Sequence, residues 1–465
     1  MYSTEKLTTI LSQYFDNSQI RVDQESCNFY GKDWTTAYKP DPSLIVFPHT
    51  TEQVQNIIHL ANEHNFALVP SGGRTGYSGG AVASAKEVVV SIEQMHQIKD
   101  IDLTDRLLSC QSGCVLQTVQ ETASDNNLYY PIDIASKGSC QIGGNVSTNA
   151  GGNHVIKYGM TRNWVAGMTV VTANGDLLCL DRNLFKDNSG YDLKQLFIGS
   201  EGTLGIITDV TLKLTQPPTN PQVLLLGLND LGKILDAIKI FRSYIDLLAF
   251  EFFSHDAVQK VIEHHHLDLP LETAYPFYVL LEYDNVTNFA EQNALNAFDA
   301  CLKDGIVNDG TASQSEEQRH QLWHYREYIS ESIVQYHPFK CDLSVKPSDI
   351  PKFIHEIQIM LDQKYADYKA IWFGHISDGN IHLNLLKPEN MSPQQHHNSF
   401  EKIGYSIYEV LKKYRGSISA EHGIGLLKKP YLHYTLSELE IQYMKNIKKM
   451  WDSKNILNPT KIFNL

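Results

Sequence analysis

Two rhythms of apolar and polar positions alternate along this chain of 465 residues, and each change of rhythm marks an element. Leu44-Ile45-Val46-Phe47 is a short apolar run that reads as a buried strand. Thr50-Thr51-Glu52-Gln53 then has the pattern of a helix-starting capping box, with Val54, Ile57, Ile58 and Ala61 on one helical face. The run 66–69 returns as a strand, so a β-α-β unit delivers the chain into Pro70-Ser71-Gly72-Gly73-Arg74-Thr75-Gly76. Further on, 168–172 and 177–180 flank Asn174-Gly175, a hairpin signal, and 207–214 alternates with Val210, Leu212 and Leu214 on one face. Gln216-Pro217-Pro218-Thr219-Asn220-Pro221 reads as an interdomain linker. Beyond it come a strand over 223–228, a helix over 230–243 and strands over 247–253 and 277–283, an α+β order. Near the end, Ser437-x-x-Glu440 opens a helix with Ile441, Met444, Ile447 and Trp451 on one side. The expected division is 1–216, 222–415 and a closing segment 416–465 that docks back on the first part.

Composition narrows the classes. Charged residues make up 20% and hydrophobic ones 42%, the balance of a folded globular protein. Lys plus Arg number 39 against 53 for Asp plus Glu, a net charge of −14 that repels polyphosphate, so no nucleic-acid partner is expected. The seven cysteines contain no Cys-x-x-Cys pair and are odd in number, which suits a reducing compartment. Residues 1–20 lack the charge pattern and apolar stretch of a targeting peptide, and no run of 18 apolar residues occurs. A cytoplasmic location is expected, with peripheral docking at a membrane compatible with it.

Eleven of the 29 glycines crowd into 72–80 and 138–159. Successive backbone N–H groups in such turns form an anion-binding concavity, because the missing Cβ atoms let the chain wrap close to phosphate oxygens. Neither the G-x-G-x-x-G nor the G-x-x-x-x-G-K-[ST] spacing is present, which removes most support for a Rossmann site or a P-loop. The second window, 131–152, is rich in Ser, Thr and Asn and suits an extended ligand; a long surface loop is the plain alternative.

These windows, together with Ile142-Gly143-Gly144-Asn145-Val146-Ser147-Thr148-Asn149-Ala150-Gly151-Gly152 and Gly199-Ser200-Glu201-Gly202-Thr203-Leu204-Gly205-Ile206, resemble the FAD-binding domain of the vanillyl-alcohol-oxidase type. Within that superfamily the chain resembles the FAD-linked D-2-hydroxyacid dehydrogenases, from Asp33-Trp34-Thr35 to Asn458-Pro459-Thr460-Lys461-Ile462. The resemblance implies an α+β fold: an FAD-binding domain of two α/β subdomains, a cap domain with an antiparallel sheet, and a helical C-terminal segment. It implies that Ser71, Gly72, Gly73, Arg74 and Thr75 hold the pyrophosphate, with Pro70, Gly76 and Ser78 beside them. Pro131, Asp133, Ser139, Cys140, Ile142, Gly143, Gly144, Asn145, Ser147, Thr148, Asn149 and Gly151 would run beside the flavin, and Glu201, Gly202, Ile206 and Ile207 would contact it. Members that attach flavin covalently often carry His in the pyrophosphate loop; Arg74 stands there, which implies non-covalent FAD.

Two further motifs carry histidines and a carboxylate: Gly374-His375-Ile376-Ser377-Asp378-Gly379-Asn380-Ile381-His382-Leu383-Asn384 and Ser419-Ala420-Glu421-His422-Gly423. Strand-like alternation over 381–386 puts His382 and Asn384 on one face, and Asp378-Gly379 offers a turn that folds His375 back. Two imidazoles and a carboxylate suit a catalytic divalent site with open positions, whereas any one of these histidines alone reads as an ordinary hydrogen-bonded side chain. By resemblance His375, His382 and Glu421 are the metal ligands, for Zn2+ or Mn2+, and His422 is the catalytic base. The same resemblance makes Arg326, Ser330, Lys340 and Asn384 the substrate-binding residues. Ser377 and Thr460 stand where relatives commonly have Gly. His264-His265-His266 and His396-His397 lack a nearby carboxylate pattern and read as exposed helix or loop.

The implied chemistry is oxidation of a D-2-hydroxy acid to its 2-oxo acid, with D-2-hydroxyglutarate and D-lactate ahead of glycolate. An ordinary imidazole titrates near about 6.5 and can take the hydroxyl proton at neutral pH. Electrons would leave to a quinone, an electron-transferring flavoprotein, a partner subunit or dioxygen; a homodimer is compatible with the sequence. An oxidase of another alcohol or sugar acid, a zinc hydrolase using His375, His382 and Glu421, and a non-catalytic flavin subunit are the rival readings.

Overall fold

A computed structural model describes residues 2–465 except Thr36, Thr287 and Asn288. It divides into two compact units. The first comprises Met1–Gly152, Gly159–Pro217 and Glu421–Leu465; the second comprises Asn153–Tyr158 and Pro218–Ala420.

In the first unit, Thr50 caps the helix Thr51–His64 by accepting from the Gln53 N–H, and the helix ends on Asn65 in the left-handed region at φ 54°. Its buried residues, Val54, Ile57, Ile58, Leu60 and Ala61, are those of the predicted face with Leu60 added. Leu44–Val46 and Leu68–Ser71 both pair in parallel with Val88–Ser91, which lies between them, and Ile20–Arg21 adds an antiparallel edge. Such a crossover delivers Ser71 to the C-terminal end of a strand, where α/β sheets bind ligands. A second sheet runs Ile98–Asp102, Leu107–Gln111, Gly205–Lys213, Val165–Thr172, Leu177–Leu180, wholly antiparallel, and includes the expected hairpin, with Gly175 at φ 87°.

The C-terminal return completes this unit. Ser437 caps the helix Glu438–Trp451 through a capping box, as its sequence predicts. Lys448, 3% exposed, donates to Thr203 O, Leu457 O and Asp452 Oδ2, and Leu457 forms a parallel bridge with Leu68. Thr460 sits at φ 67°, where a β-branched residue is strained.

The second unit is built on a seven-stranded antiparallel sheet ordered Asp309–Ala312, Pro221–Leu228, Phe277–Asp284, Leu247–Ser254, Lys369–Gly374, Asn380–Leu386, Phe339–Ser344. Registered pairing puts Glu282, Glu251, His382, Asp342, Asn384 and Lys340 on one face, among Val223, Leu225, Ala249, Phe253 and Phe373. Helices Glu316–Glu327 and Ile329–Ile333 cover part of this face through Trp323, Tyr325, Ile329 and Ile333.

Glu282, 2% exposed, accepts from His154 at 2.9 Å, Arg319 at 3.1 Å and Trp323 at 3.3 Å, and so fastens the excursion Asn153–Tyr158 to the sheet. Burial alone would raise its carboxyl pKa; the hydrogen bonds and charges of His154 and Arg319 outweigh that and hold it below the usual 4.5. A carboxyl lowered on folding stabilises above its unfolded pKa and loses that contribution as pH falls through its folded value.

Glu282→Gln leaves Arg319 and His154 without their carboxylate and should cost about 3 kcal/mol or more in urea unfolding at pH 7. The gap from the parent should shrink as pH falls below 4.5. Thr460→Gly relieves the left-handed strain and should stabilise the chain by about 1 kcal/mol, read in the same assay.

Candidate functional site

Within the first unit, the two glycine windows and the 201–207 segment line one cleft. Of the residues expected at the cofactor, Pro70 through Gly76, Ser78, Cys140, Gly143, Gly144, Asn145, Ser147, Thr148, Glu201, Gly202, Ile206 and Ile207 line it; Pro131, Asp133, Ser139, Ile142, Asn149 and Gly151 do not. Within the window suited to an extended ligand, Ile142–Thr148 form a helix that borders the cleft through Gly143, Gly144, Asn145, Ser147 and Thr148. Sequence reasoning missed Asp33, Ile92 and Gln141 in this lining.

The cleft has the features of a cradle for a phosphate-bearing ligand. A Cβ on Gly73 would meet Ser139 O at 2.2 Å, so only glycine allows that backbone approach, whereas a Cβ on Gly144 meets nothing within 4 Å. Ser71 Oγ and Gln141 Oε1 are buried and lack a hydrogen-bond partner among the described residues, the condition of polar atoms that await a ligand. Arg74 takes φ 58°, but its guanidinium lies over Phe29 and Tyr30 at 4.7 and 4.5 Å and reaches Glu93 at 3.4 Å. Arg74 therefore contributes backbone to the cradle, its charge being spent on Glu93 and two rings.

Carboxylates hold the loops in place. Asp33 accepts from Gly79 N at 2.8 Å and Thr35 N at 3.0 Å, and burial pushes its carboxyl up to about 6 against the opposing pull of those N–H groups. Glu201, itself at φ 52°, accepts from Ile424 N at 2.7 Å and Gly425 N at 2.8 Å; burial raises its pKa, partly countered by those bonds. Those bonds bring the closing segment to the cleft. Ser78 Oγ donates to the carbonyl of His422, whose ring lies 5.1 Å from Tyr77, and His422 lines the same cleft as the glycine windows. One residue earlier, Glu421 Oε1 accepts from Gly152 N at 2.9 Å.

In the second unit, strands Lys369–Gly374 and Asn380–Leu386 form a hairpin whose turn contains Asp378 and Gly379 at φ 97°. The turn folds His375 back so that its ring centroid lies 5.4 Å from that of His382. Glu251, fully buried, was not anticipated. Its Oε1 is 2.8 Å from His375 Nδ1, and its Oε2 is 2.8 Å from both Nε and Nη2 of Arg326. Bonding at Nδ1 orients the imidazole of His375, the support that a metal-ligating histidine would need. Burial alone would raise the Glu251 carboxyl, and the charges of His375 and Arg326 hold it below the usual range. Asp342 Oδ1 stands 3.8 Å from His382 Nδ1, and Lys340 is registered opposite Asn384. Burial lowers the Lys340 pKa. Ser330 is exposed on its short helix. The donor set of two imidazoles backed by carboxylates fits a divalent transition metal.

One signal could have revealed Glu251 and Glu282: each is an acidic residue inside an otherwise apolar strand, Phe250-Glu251-Phe252 and Leu281-Glu282-Tyr283. His396, expected in exposed helix or loop, is buried and bonded to His337 O at 2.7 Å, a correction made by the packing of its long helix.

Gly144→Ala should leave the fold intact or slightly steadier, since Ala favours the helix and meets no protein atom. The added methyl should nonetheless reduce the flavin retained through gel filtration, read from the visible absorbance per chain. Full retention would show that Gly144 does not border the ligand.

Comparison with known proteins agrees with this layout. Residues 42–181 match the FAD binding domain and 217–462 match the family of FAD linked oxidases, C-terminal domain. D-2-hydroxyglutarate dehydrogenase of Stutzerimonas stutzeri is 49% identical over 97% of this chain and 98% of its own length. The protein of that name from Xanthomonas citri is 44% identical over 97% and 96%, and the mitochondrial one of Danio rerio 36% over 92% and 80%. Among solved structures, p-cresol methylhydroxylase with substrate bound superposes with a TM-score of 0.79 at 16% identity, over 99% of this chain and 97% of that one. The 4-ethylphenol oxidase of Gulosibacter chungangensis gives 0.77 at 16%, over 99% and 98%; both likenesses concern the fold, that of the vanillyl-alcohol-oxidase type. The hydrolase reading is set aside, and the chain belongs to the FAD-linked D-2-hydroxyacid dehydrogenase family, enzymes that oxidise a D-2-hydroxy acid with FAD.

Proposed function

We propose that the substrate is D-2-hydroxyglutarate, oxidised to its 2-oxo acid with non-covalent FAD and a divalent metal, Zn2+ by its donor set with Mn2+ as the alternative. The observation that carries the dicarboxylate reading is the pair of cations in the second unit, buried Arg326 and half-buried Lys340. A buried charge needs a partner, and Glu251 engages only Nε and Nη2 of Arg326. Nη1 of Arg326 is thereby assigned to one substrate carboxylate, and the Lys340 ammonium, registered opposite Asn384, to the other, with Asn384 and Ser330 supplying neutral hydrogen bonds. The relatives named for that substrate support the same choice.

His375, His382 and Glu421 are assigned as metal ligands, with Glu251 orienting His375. His422 is assigned to accept the substrate hydroxyl proton. When bound, the flavin supplies the two-electron acceptor and the metal the positive charge that makes the hydroxyl acidic. The chain's own part is to grip both ends of the substrate, hold the imidazole of His422 against the flavin cleft, and keep the reacting carbon from water. No helix among the described residues is long and apolar enough to cross a membrane. A cytoplasmic enzyme that passes electrons to a quinone, an electron-transferring flavoprotein or a partner subunit completes the reading.

Anaerobic bleaching of the flavin tests it. D-2-hydroxyglutarate should bleach the bound flavin, its L-enantiomer should not, D-lactate should do so more slowly, and chelation should stop the reaction. Equal rates with D-lactate would overturn the dicarboxylate reading. His422→Asn should retain flavin while slowing reduction by about 10²- to 10⁴-fold; unchanged reduction would remove it from the base role.

A further inference from the structure

Helix His255–His265 ends in a run of three histidines, the last of which, His266, is its cap at φ 56°. Tertiary packing brings them a carboxylate from a helix distant in sequence. Helix Ile329–Ile333 lies against this helix, and a carboxylate oxygen of Glu331 and one ring nitrogen each of His264 and His265 all fall within 4.8 Å of one another. Three donors around a tetrahedral zinc stand about 3.4 Å apart for metal–ligand bonds of about 2.1 Å. His264 and Glu331 are both exposed, so their rotamers can close that gap without moving the backbone.

A second observation points the same way. His265 is held rigidly, its ring stacked on Tyr328 at 4.3 Å, and Tyr328 stacks in turn on His324 at 4.5 Å. Yet His265 Nε2 is buried with no hydrogen-bond partner among the described residues. The nearby Glu263 is taken by Lys260 at 2.6 Å, which leaves three protein donors and open positions for water.

We propose that His264, His265 and Glu331 form a second divalent-cation site, separate from the catalytic set, for a transition metal of the zinc or nickel type. Two neutral imidazoles and one carboxylate favour such a cation over calcium or magnesium, which prefer all-oxygen shells. The open positions make it an exchangeable site. The cation would tie helix His255–His265 to helix Ile329–Ile333, the element that carries Ser330.

The test uses untagged flavoprotein stripped by chelator, dialysed to equilibrium against buffered free Zn2+ and assayed for bound metal, flavin and turnover. The parent should bind an equivalent that H264N/H265N loses and that E331Q binds at least about tenfold more weakly, both variants keeping their flavin and turnover. H382N separates this site from the catalytic one: it should keep this equivalent whatever happens to the catalytic metal. Identical binding by the parent and H264N/H265N would overturn the proposal. So would an equivalent that needs the histidines but is indifferent to E331Q.

Discussion

One half-buried residue, Glu201, holds the first unit's site together. It accepts from the backbone of Ile424 and Gly425, while its own carbonyl accepts from Asn458 Nδ2, an amide that also reaches Gly80 O. Four stretches far apart in sequence, near 80, 201, 424 and 458, thus meet at one residue. Without a hydrogen-bonded acceptor there, the N–H groups of the closing segment would be buried unpaired, and the position of His422 at the cleft depends on them. The left-handed conformation of Glu201 is a cost that this network offsets.

The second unit repeats the device with charge in place of backbone. Glu251 orients a histidine with one oxygen and an arginine with the other, so a proposed metal ligand and a proposed carboxylate anchor share one rigid support. Removing either partner alone would leave the rest of a buried triad uncompensated, which makes the three residues a single unit energetically. On the neighbouring strand, Glu282 does the same for His154 and Arg319. The polar stripe on this sheet therefore costs desolvation and returns fixed geometry.

Much of this was legible in the residues. Thr50 and Ser437 announced their helices because a capping hydroxyl satisfies N–H groups locally, within three residues. The hairpin at Asn174-Gly175 and the shared face of His382 and Asn384 followed from strand period and turn chemistry, again local. What stayed hidden depends on distant partners. Glu251 meets residues 75 and 124 positions away, and nothing near it in sequence names them. Asp33 lines the cleft through bonds to a loop some 46 residues on. The helix over 142–148 is not legible either, because its small polar residues have weak helix propensity, which tertiary context overrides.

The excursion Asn153–Tyr158 and the return at Glu421 mean that the chain passes between the two units four times. During synthesis the second unit's stretch Pro218–Ala420 emerges whole, while the first must wait for Leu457 to lie beside Leu68. The cap is thus ready before the cradle closes. The nascent N-terminal half spends that interval with its apolar strands incompletely covered, which makes it the segment that chaperones would have to shield.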